Sequence, residues 1–438
     1  MRCDLFDVGA CRSCTWMGRE HAAQVTDKHD AAVAALPGIP ADGWAAPFAG
    51  AERGYRNRAK LVVGGTVARP TLGILDADGR GVDLTGCGLY EPALAASFGA
   101  LATFVTRAAL EPYDVPARRG ELKYLLVTVS PDGELMVRFV LRSTEALARI
   151  RKHLPWLRDA LPHIAVASVN VQPAHAAVLE GDREIVLTPD DTLTMRVGDV
   201  ALRLPPRSFF QTNSQVAAAL YRQAAAWADD VLPDLSVPRS AAGGGRHPGP
   251  AAVRGEPGDL PSAGSAGRAG PAVSVWDLYC GVGGFALHLA APGRQVTGVE
   301  LSAPAVAAAT QAASALVGAG DAAGPADVAL RHVDGFRSGR SRPGVAFHAG
   351  DALELVRTAG RVPDLVVVNP PRRGLGADLA GWLAASGVRH VLYSSCHLPS
   401  LVADLAAMPD LRPARAQVLD MFPQTTHAEV LVLLSRGS

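Results

Sequence analysis

The sequence predicts an α/β protein whose carboxyl-terminal half is a doubly wound parallel sheet ending in a hairpin, with an α+β domain before it. Three observations predict this. Strand-like apolar runs alternate with alanine-rich helical stretches after residue 274. A glycine-rich turn follows the first of those runs, and before residue 205 strands and helices mix without that alternation.

At 438 residues the chain is long enough for two domains, and a hydrophobic share of 48% excludes wholesale disorder. Basic and acidic residues balance at 42 each, so a polyanionic partner must be met by local basic patches and not by a global field. The amino terminus carries Asp4 and Asp7 and lacks the basic-then-apolar run of a signal peptide. No run of about 18 apolar residues occurs, so no membrane span is expected. The chain is expected to be cytoplasmic, where six cysteines favour metal ligation or catalysis over disulfides. Three of them, Cys3, Cys11 and Cys14, crowd the first fourteen residues.

In the first half, strands are expected at Leu122–Ser130, Leu135–Leu141 and Ala165–Gln172, and helices near Pro92–Ala109 and Thr144–Leu154. A boundary near Pro205 divides the chain into domains 1–204 and 205–438. The first carries basic stretches: Arg53, Arg56, Arg58 and Lys60; Arg118, Arg119 and Lys123; Arg138 and Arg142. Tyr55, Tyr113 and Tyr124 are interleaved, which suits phosphate contact and base stacking, although solvated strand faces would account for about half of these residues.

A disordered insertion is expected at 236–273, because fifteen of the 36 residues from Pro238 to Val273 are Gly or Pro. A weaker, Gly-rich insertion runs from about Gly318 to Pro343. Around these lie expected strands at Val275–Tyr279, Gln295–Glu300, Val345–Ala349, Asp364–Asn369 and His390–Ser394, with a helix at Ala303–Leu316. Gln417–Phe422 and Glu429–Ser435 are close enough to form the final hairpin.

The chemistry concentrates at the strand ends. In "VWDLYCGVGGFALHLA" Gly281, Gly283 and Gly284 let the backbone approach a ligand closely. Glu300 ends the next strand nineteen residues after Gly281, where a carboxylate can take two ribose hydroxyls or simply face solvent. Together they suggest an adenosine-type cofactor. The pattern D-x-x-C-G-x-G-G-F is not the dinucleotide G-x-G-x-x-G, which favours S-adenosylmethionine over a nicotinamide. "VVVNPPRRG" places Asn369 before a stiff two-proline turn. Arg372 follows where amine methyltransferases carry an aromatic, so exocyclic amine methylation is disfavoured.

"VLYSSCHL" puts Cys396 just past a strand end on the cofactor side, with small Ser394 and Ser395 leaving room for a substrate. A lone cysteine is more often a small core residue, but this position favours a nucleophile. Glu429 opens an otherwise apolar strand, as a general base or as a solvated strand end with equal weight. The C5 carbon of uracil takes a methyl group only after a thiolate adds at C6, and the C5 proton then needs a base.

At these residues the sequence resembles the RNA (uracil-5-)methyltransferase family, almost end to end. The resemblance rests on the amino-terminal C-x7-C-x2-C, "YRNRAK", "RRGELKYLL", "SFFQTN", "DLYCGVGGF", "VNPPRRG", "YSSC" and "DMFPQTTHAEVL". It implies a Rossmann-like S-adenosylmethionine methyltransferase domain preceded by an iron–sulfur-binding α+β RNA-recognition domain. It implies that Gln211, Tyr279, Gly281, Glu300 and Asn369 bind S-adenosylmethionine, that Cys396 is the nucleophile, and that Glu429 accepts the proton. Relatives often have Asp and Phe at the positions of Asn369 and Tyr279, so no base chemistry is assigned to Asn369.

The same resemblance implies a [4Fe–4S] cluster on Cys3, Cys11, Cys14 and Cys87. Four soft thiolates suit a cluster, a Zn(Cys)4 site would use the same set, and unligated thiols are the plain alternative. Cys280 is expected to be a packing residue. The implied partner is 23S rRNA, met by a monomer, with the target base extruded to reach Cys396. The chain begins at its cysteines with no β-barrel domain before them, which points to uridine 747 over uridine 1939 and leaves an enzyme of both sites open. A rival of another class is a non-catalytic iron–sulfur RNA-binding protein on a decayed methyltransferase fold. Such decay could have erased Cys396, Glu429 and the glycine loop, and all are present.

Overall fold

The protein was described from a computed structural model that covers residues 1–176, 178–232, 273–318 and 344–437. The two expected insertions lie outside these residues, except that Val273 opens a strand and Gly318 closes a helix. The chain begins with helices α1 (Asp4–Asp7) and α2 (His21–Ala35) and the two-residue strand β1 (Phe48–Ala49). Then come β2 (Arg58–Thr66), β3 (Arg69–Leu75), β4 (Gly81–Asp83), α3 (Pro92–Arg107), β5 (Leu122–Val129) and β6 (Leu135–Leu141). Next are α4 (Leu147–Ala160), β7 (Ile164–Val171), β8 (Arg183–Val186), the hairpin β9 (Leu193–Val197) and β10 (Val200–Leu204), and α5 (Ser214–Val231).

The second half follows with β11 (Val273–Leu278), α6 (Gly284–His288), β12 (Arg294–Glu300), α7 (Ala303–Gly318) and β13 (Gly344–Ala349). It continues through α8 (Ala352–Thr358), β14 (Leu365–Val368), α9 (Ala377–Ala385), β15 (His390–Ser395), α10 (Leu398–Ala406), β16 (Leu411–Asp420) and β17 (Glu429–Arg436). Each strand expected from the sequence in this half is present within two residues at its ends, except that β16 begins six residues before the expected Gln417.

One sheet has the order β4-β3-β2-β5-β6-β7-β8. Its apolar face packs on α3 and α4, with Phe98, Leu101 and Phe104 against Leu125, Val127 and Phe139. The other sheet has the order β1-β16-β17-β15-β14-β11-β12-β13. Helices cover both of its faces, so β11 is buried at every residue, as a central parallel strand should be. The hairpin is present, but β17 does not extend the edge. It lies between β15 and β16, antiparallel to both.

Packing crosses the division expected at residue 205, and two of the crossings are made by strands. β1 pairs in parallel with β16, Phe48 opposite Leu419, and α2 packs on the same strand. The hairpin β9–β10 sends Leu193, Met195, Leu202 and Leu204 into the core shared by β11 and α5. Both pieces are short, so neither carries a periodic signal of where it docks.

α2 is fixed to the sheet by a buried ion pair. Lys28 Nζ donates to Asp420 Oδ1 at 2.6 Å and to the Phe422 carbonyl at 3.1 Å, and His21 Nε2 lies 2.7 Å from Asp420 Oδ2. Burial lowers the lysine pKa, and the Asp420 carboxylate works against that shift. Lys28→Ala strands the carboxylate with His21 alone, and breaking such a pair costs about 3 kcal/mol or more. The urea midpoint should fall accordingly at an unchanged slope; a loss below about 1 kcal/mol would show that the pair does not hold the helix.

Candidate active site

The strand order reverses between β11 and β14, and the loops leaving them diverge around a crevice, the usual ligand position in such a sheet. The turn after β11 is shaped for close approach. Gly281 and Gly283 have φ of +55° and +87°, and Tyr279, not a glycine, is held at +68°. A side chain at Gly284 would meet the Tyr221 hydroxyl at 2.5 Å, and one at Gly283 the Phe347 ring at 2.9 Å. The loop is therefore clamped between α5 and β13.

Glu300 ends β12 facing this loop. Its Oε2 accepts from the Gly281 N–H at 3.2 Å, and its Oε1 accepts from the Ser302 N–H at 2.9 Å. Asn369 follows β14 directly and is half-buried. Gln211 is buried just before α5, its carbonyl accepting from Asn57 Nδ2 at 2.9 Å. Asn213 then caps α5, accepting from the Val216 N–H at 3.2 Å, and Tyr221 of that helix packs edge-on against Phe285. Cys280 is buried in the apolar core beneath the loop.

Asp277 was not singled out by the sequence reading. It is fully buried in β11, accepts from the Ala286 N–H at 2.9 Å through Oδ2, and leaves Oδ1 without a partner. Burial pushes its carboxyl up to about 8. The signal was available: a carboxylate inside the apolar run "VSVWDL", immediately before a glycine turn.

Cys396 and Glu429 are brought together by strand register. Ser395 pairs with Val430 at the end of the antiparallel β15–β17 ladder, so Cys396 leaves β15 where Glu429 enters β17. Glu429 is 2% exposed and accepts a hydrogen bond from Ser394 Oγ. Burial raises its pKa to about 7, with the Ser394 hydrogen bond pulling the other way. The Cys396 thiol is raised by burial and by Glu429, while the Arg372 guanidinium favours its thiolate. The site thus offers a nucleophile, a base poised near neutrality and a cation beside the sulfur. The two serines do not leave open space as expected: both are buried, Ser394 bonded to Glu429 and Ser395 to the His397 carbonyl.

Away from the crevice, Cys3, Cys11, Cys14 and Cys87 line one cavity with Met1, Leu5, Phe6 and Met17. All four are free thiols. Burial, then the neighbouring Cys87, Cys11 and Cys3, push Cys14 up to about 11. Among the described residues no three His, Cys, Asp or Glu side chains are grouped as a site for a metal ion.

The basic residues of the first half divide sharply. Arg138 is buried and paired with Glu180 and Glu184, at 3.1 and 2.7 Å, and Arg142 pairs with Glu121 at 3.0 Å. Lys123 is buried, bonded to Gln172 and lying over the Tyr113 ring. Tyr55 is buried, its hydroxyl 3.4 Å from the Pro423 carbonyl. Arg53, Lys60, Arg118 and Arg119 remain exposed.

Glu429 also sets a stability test. Its pKa is about 7 when folded against an ordinary 4.5, so its protonated form favours the folded state. That contribution is complete below about 4.5 and is lost as pH rises through about 7. Glu429→Gln, neutral throughout, should therefore gain stability relative to the parent across that window in urea titrations. A difference independent of pH would contradict the burial of an unpaired carboxyl.

No family model matches the chain. Among curated proteins it is 41% identical over 438 residues to the 23S rRNA (uracil(747)-C(5))-methyltransferase RlmC of Serratia proteamaculans, covering 100% of both chains. It is 40% identical over 435 residues to the enzyme of the same name from Escherichia coli O139:H28, covering 99% of each. Among solved structures, the Pyrococcus abyssi tRNA (uracil-54, C5)-methyltransferase in complex with S-adenosyl-L-homocysteine shares the fold. There the TM-score is 0.67 at 21% identity, covering 96% of this chain and 85% of that one. A full-length match at this identity is decisive: the chain belongs to the RlmC family of S-adenosylmethionine-dependent 23S rRNA (uracil-C5)-methyltransferases.

Proposed function

We propose that this protein methylates C5 of a uridine in 23S rRNA, at position 747, through a covalent adduct between Cys396 and C6 of the base. The observation that carries the reading is the β15–β17 ladder, which ends where Cys396 leaves one strand and the buried Glu429 opens the other. The names of the relatives match it in reaction, RNA and position.

S-adenosylmethionine supplies an electrophilic methyl group. Gln211, Tyr279, Gly281, Glu300 and Asn369 would hold it in the crevice, Glu300 taking the ribose hydroxyls while it braces the loop. The Cys396 thiolate, favoured by Arg372, adds to C6 and pushes electron density onto C5, which takes the methyl group. Glu429, ionised, then removes the C5 proton. The electron pair of the broken C5–H bond re-forms the C5–C6 double bond, and the C6–S bond breaks to release the thiolate. In this reading residues 1–204 recognise the RNA and 205–438 carry the chemistry, in a monomer of the cytoplasm.

The four thiols facing one largely apolar cavity fit a [4Fe–4S] cluster. Each thiolate opposes ionisation of the others, and the iron of a cluster would remove that conflict. Cys3, Cys11, Cys14 and Cys87 would hold it as a structural tie, with no part in methyl transfer.

RNA carrying 5-fluorouridine tests the chemistry, because fluorine replaces the proton that Glu429 must remove. Wild type should form a denaturation-resistant complex with it and Cys396→Ala none; crosslinking by the alanine variant would mean that another nucleophile acts. Glu429→Gln should methylate ordinary RNA and then accumulate as the adduct. For the cluster, anaerobically purified Cys87→Ala should lose iron and visible absorbance relative to the parent. Unchanged iron, or zinc in both proteins, would overturn the cluster assignment.

A further inference from the structure

The turn between β16 and β17 leads into Glu429; Thr425 and the Phe422–His427 ring contact bind it internally, and the rest of its bonds come from elsewhere in the chain. At its centre Gln424 is fully buried with φ +68°, a conformation costly for a residue with a side chain and stable only where the surroundings dictate it. The surroundings here are the amino-terminal segment. The Gln424 N–H donates to Gln24 Oε1 at 2.9 Å, and its carbonyl accepts from the Trp16 N–H at 2.9 Å. Its side chain accepts from Gln24 Nε2 and donates to Glu52 Oε2, both at 3.1 Å. Gln24 thus closes a reciprocal pair of bonds, one to the backbone and one to the side chain of Gln424.

The neighbouring carbonyls are taken from the same side. Phe422 receives Lys28 and Pro423 receives the Tyr55 hydroxyl. Three consecutive carbonyls, 422 to 424, are therefore bonded by donors drawn from residues 16–55. Glu429 lies five residues beyond Gln424, with only the short Thr425 bridges between.

We infer that Gln24 and Gln424 are positioning residues for the proton-abstraction step: their paired hydrogen bonds fix the turn that aims Glu429 at the adduct on Cys396. The inference rests on the covalent reading proposed above. It makes the amino-terminal segment part of the machinery of one step, the transfer of the C5 proton to the Glu429 carboxylate with loss of the thiolate. Addition of Cys396 and methyl transfer depend on β15 and the crevice and do not use the turn. An ångström of misplacement can cost a proton transfer about a hundredfold.

The test separates that step from those before it. Gln24→Ala should turn over ordinary 23S rRNA fragments about tenfold to a hundredfold more slowly, while a methylated covalent complex accumulates. Its trapping on 5-fluorouridine RNA, which needs no proton abstraction, should keep the wild-type rate and show that the variant is folded and binds RNA. Gln24→Glu, which keeps the acceptor for the Gln424 N–H, should recover part of the turnover. If trapping slows together with turnover, or if turnover is unchanged, the two glutamines are merely structural and the inference fails. Glu429→Gln run beside it shows which idea has failed. Without adduct in that variant the base assignment falls, and the inference with it. With adduct there and none in Gln24→Ala, only the positioning role falls.

Discussion

Everything at the site follows from the antiparallel insertion of β17 between β15 and β16. A doubly wound sheet presents the carboxyl ends of its parallel strands to the ligand, so each loop on that side begins where a strand stops. A strand running the other way brings its first residue to the same edge. Glu429 is such a first residue, and it faces Cys396, which follows the last residue of β15. The thiol and the buried carboxyl are thereby brought to the same edge by neighbouring strands. A shift of one residue would turn Glu429 to the opposite face, so register here is a chemical constraint as much as a packing one.

Two buried carboxylates nine residues apart show how environment divides labour. Asp420 closes β16 and Glu429 opens β17, with Leu419 directly across from Glu429. Asp420 meets Lys28 and His21, so it is a fixed charge that anchors α2. Among the described residues the Glu429 carboxyl is hydrogen-bonded by the Ser394 hydroxyl, and burial raises its pKa toward neutrality. The first is an anchor because a cation faces it, and the second keeps a raised pKa because none does. The turn between them is bonded by the amino-terminal segment, which also carries three of the four clustered cysteines.

The first sheet shows a similar economy of charge. Arg138 lies within a sheet face where Glu180, Glu184, Ser168 and Asn170 converge, Ser168 and Asn170 both donating to Glu184. Arg58 bonds the Ser208 carbonyl and Thr128, and burial lowers its pKa to about 10. These cations hold strands together. Arg53, Lys60, Arg118 and Arg119 stay exposed at the surface.

The sequence by itself determined the alternation of strands and helices in the second half, the glycine turn before α6 and the strand-end positions of Glu300, Asn369 and Cys396. These are local: periodicity, glycine where φ must be positive, and polar residues at the ends of apolar runs are all written in adjacent residues. It also showed that Glu429 opens an apolar strand, without deciding between a base and a solvated end. Tertiary structure excluded the solvated end, because only the order of strands reveals that Glu429 is buried next to β15. The same holds for Arg138 against Arg119, and for Gln24 against Gln424, 400 residues apart. Whether a charge is neutralised, or a turn held, depends on partners distant in the chain, and no spacing along one segment encodes them.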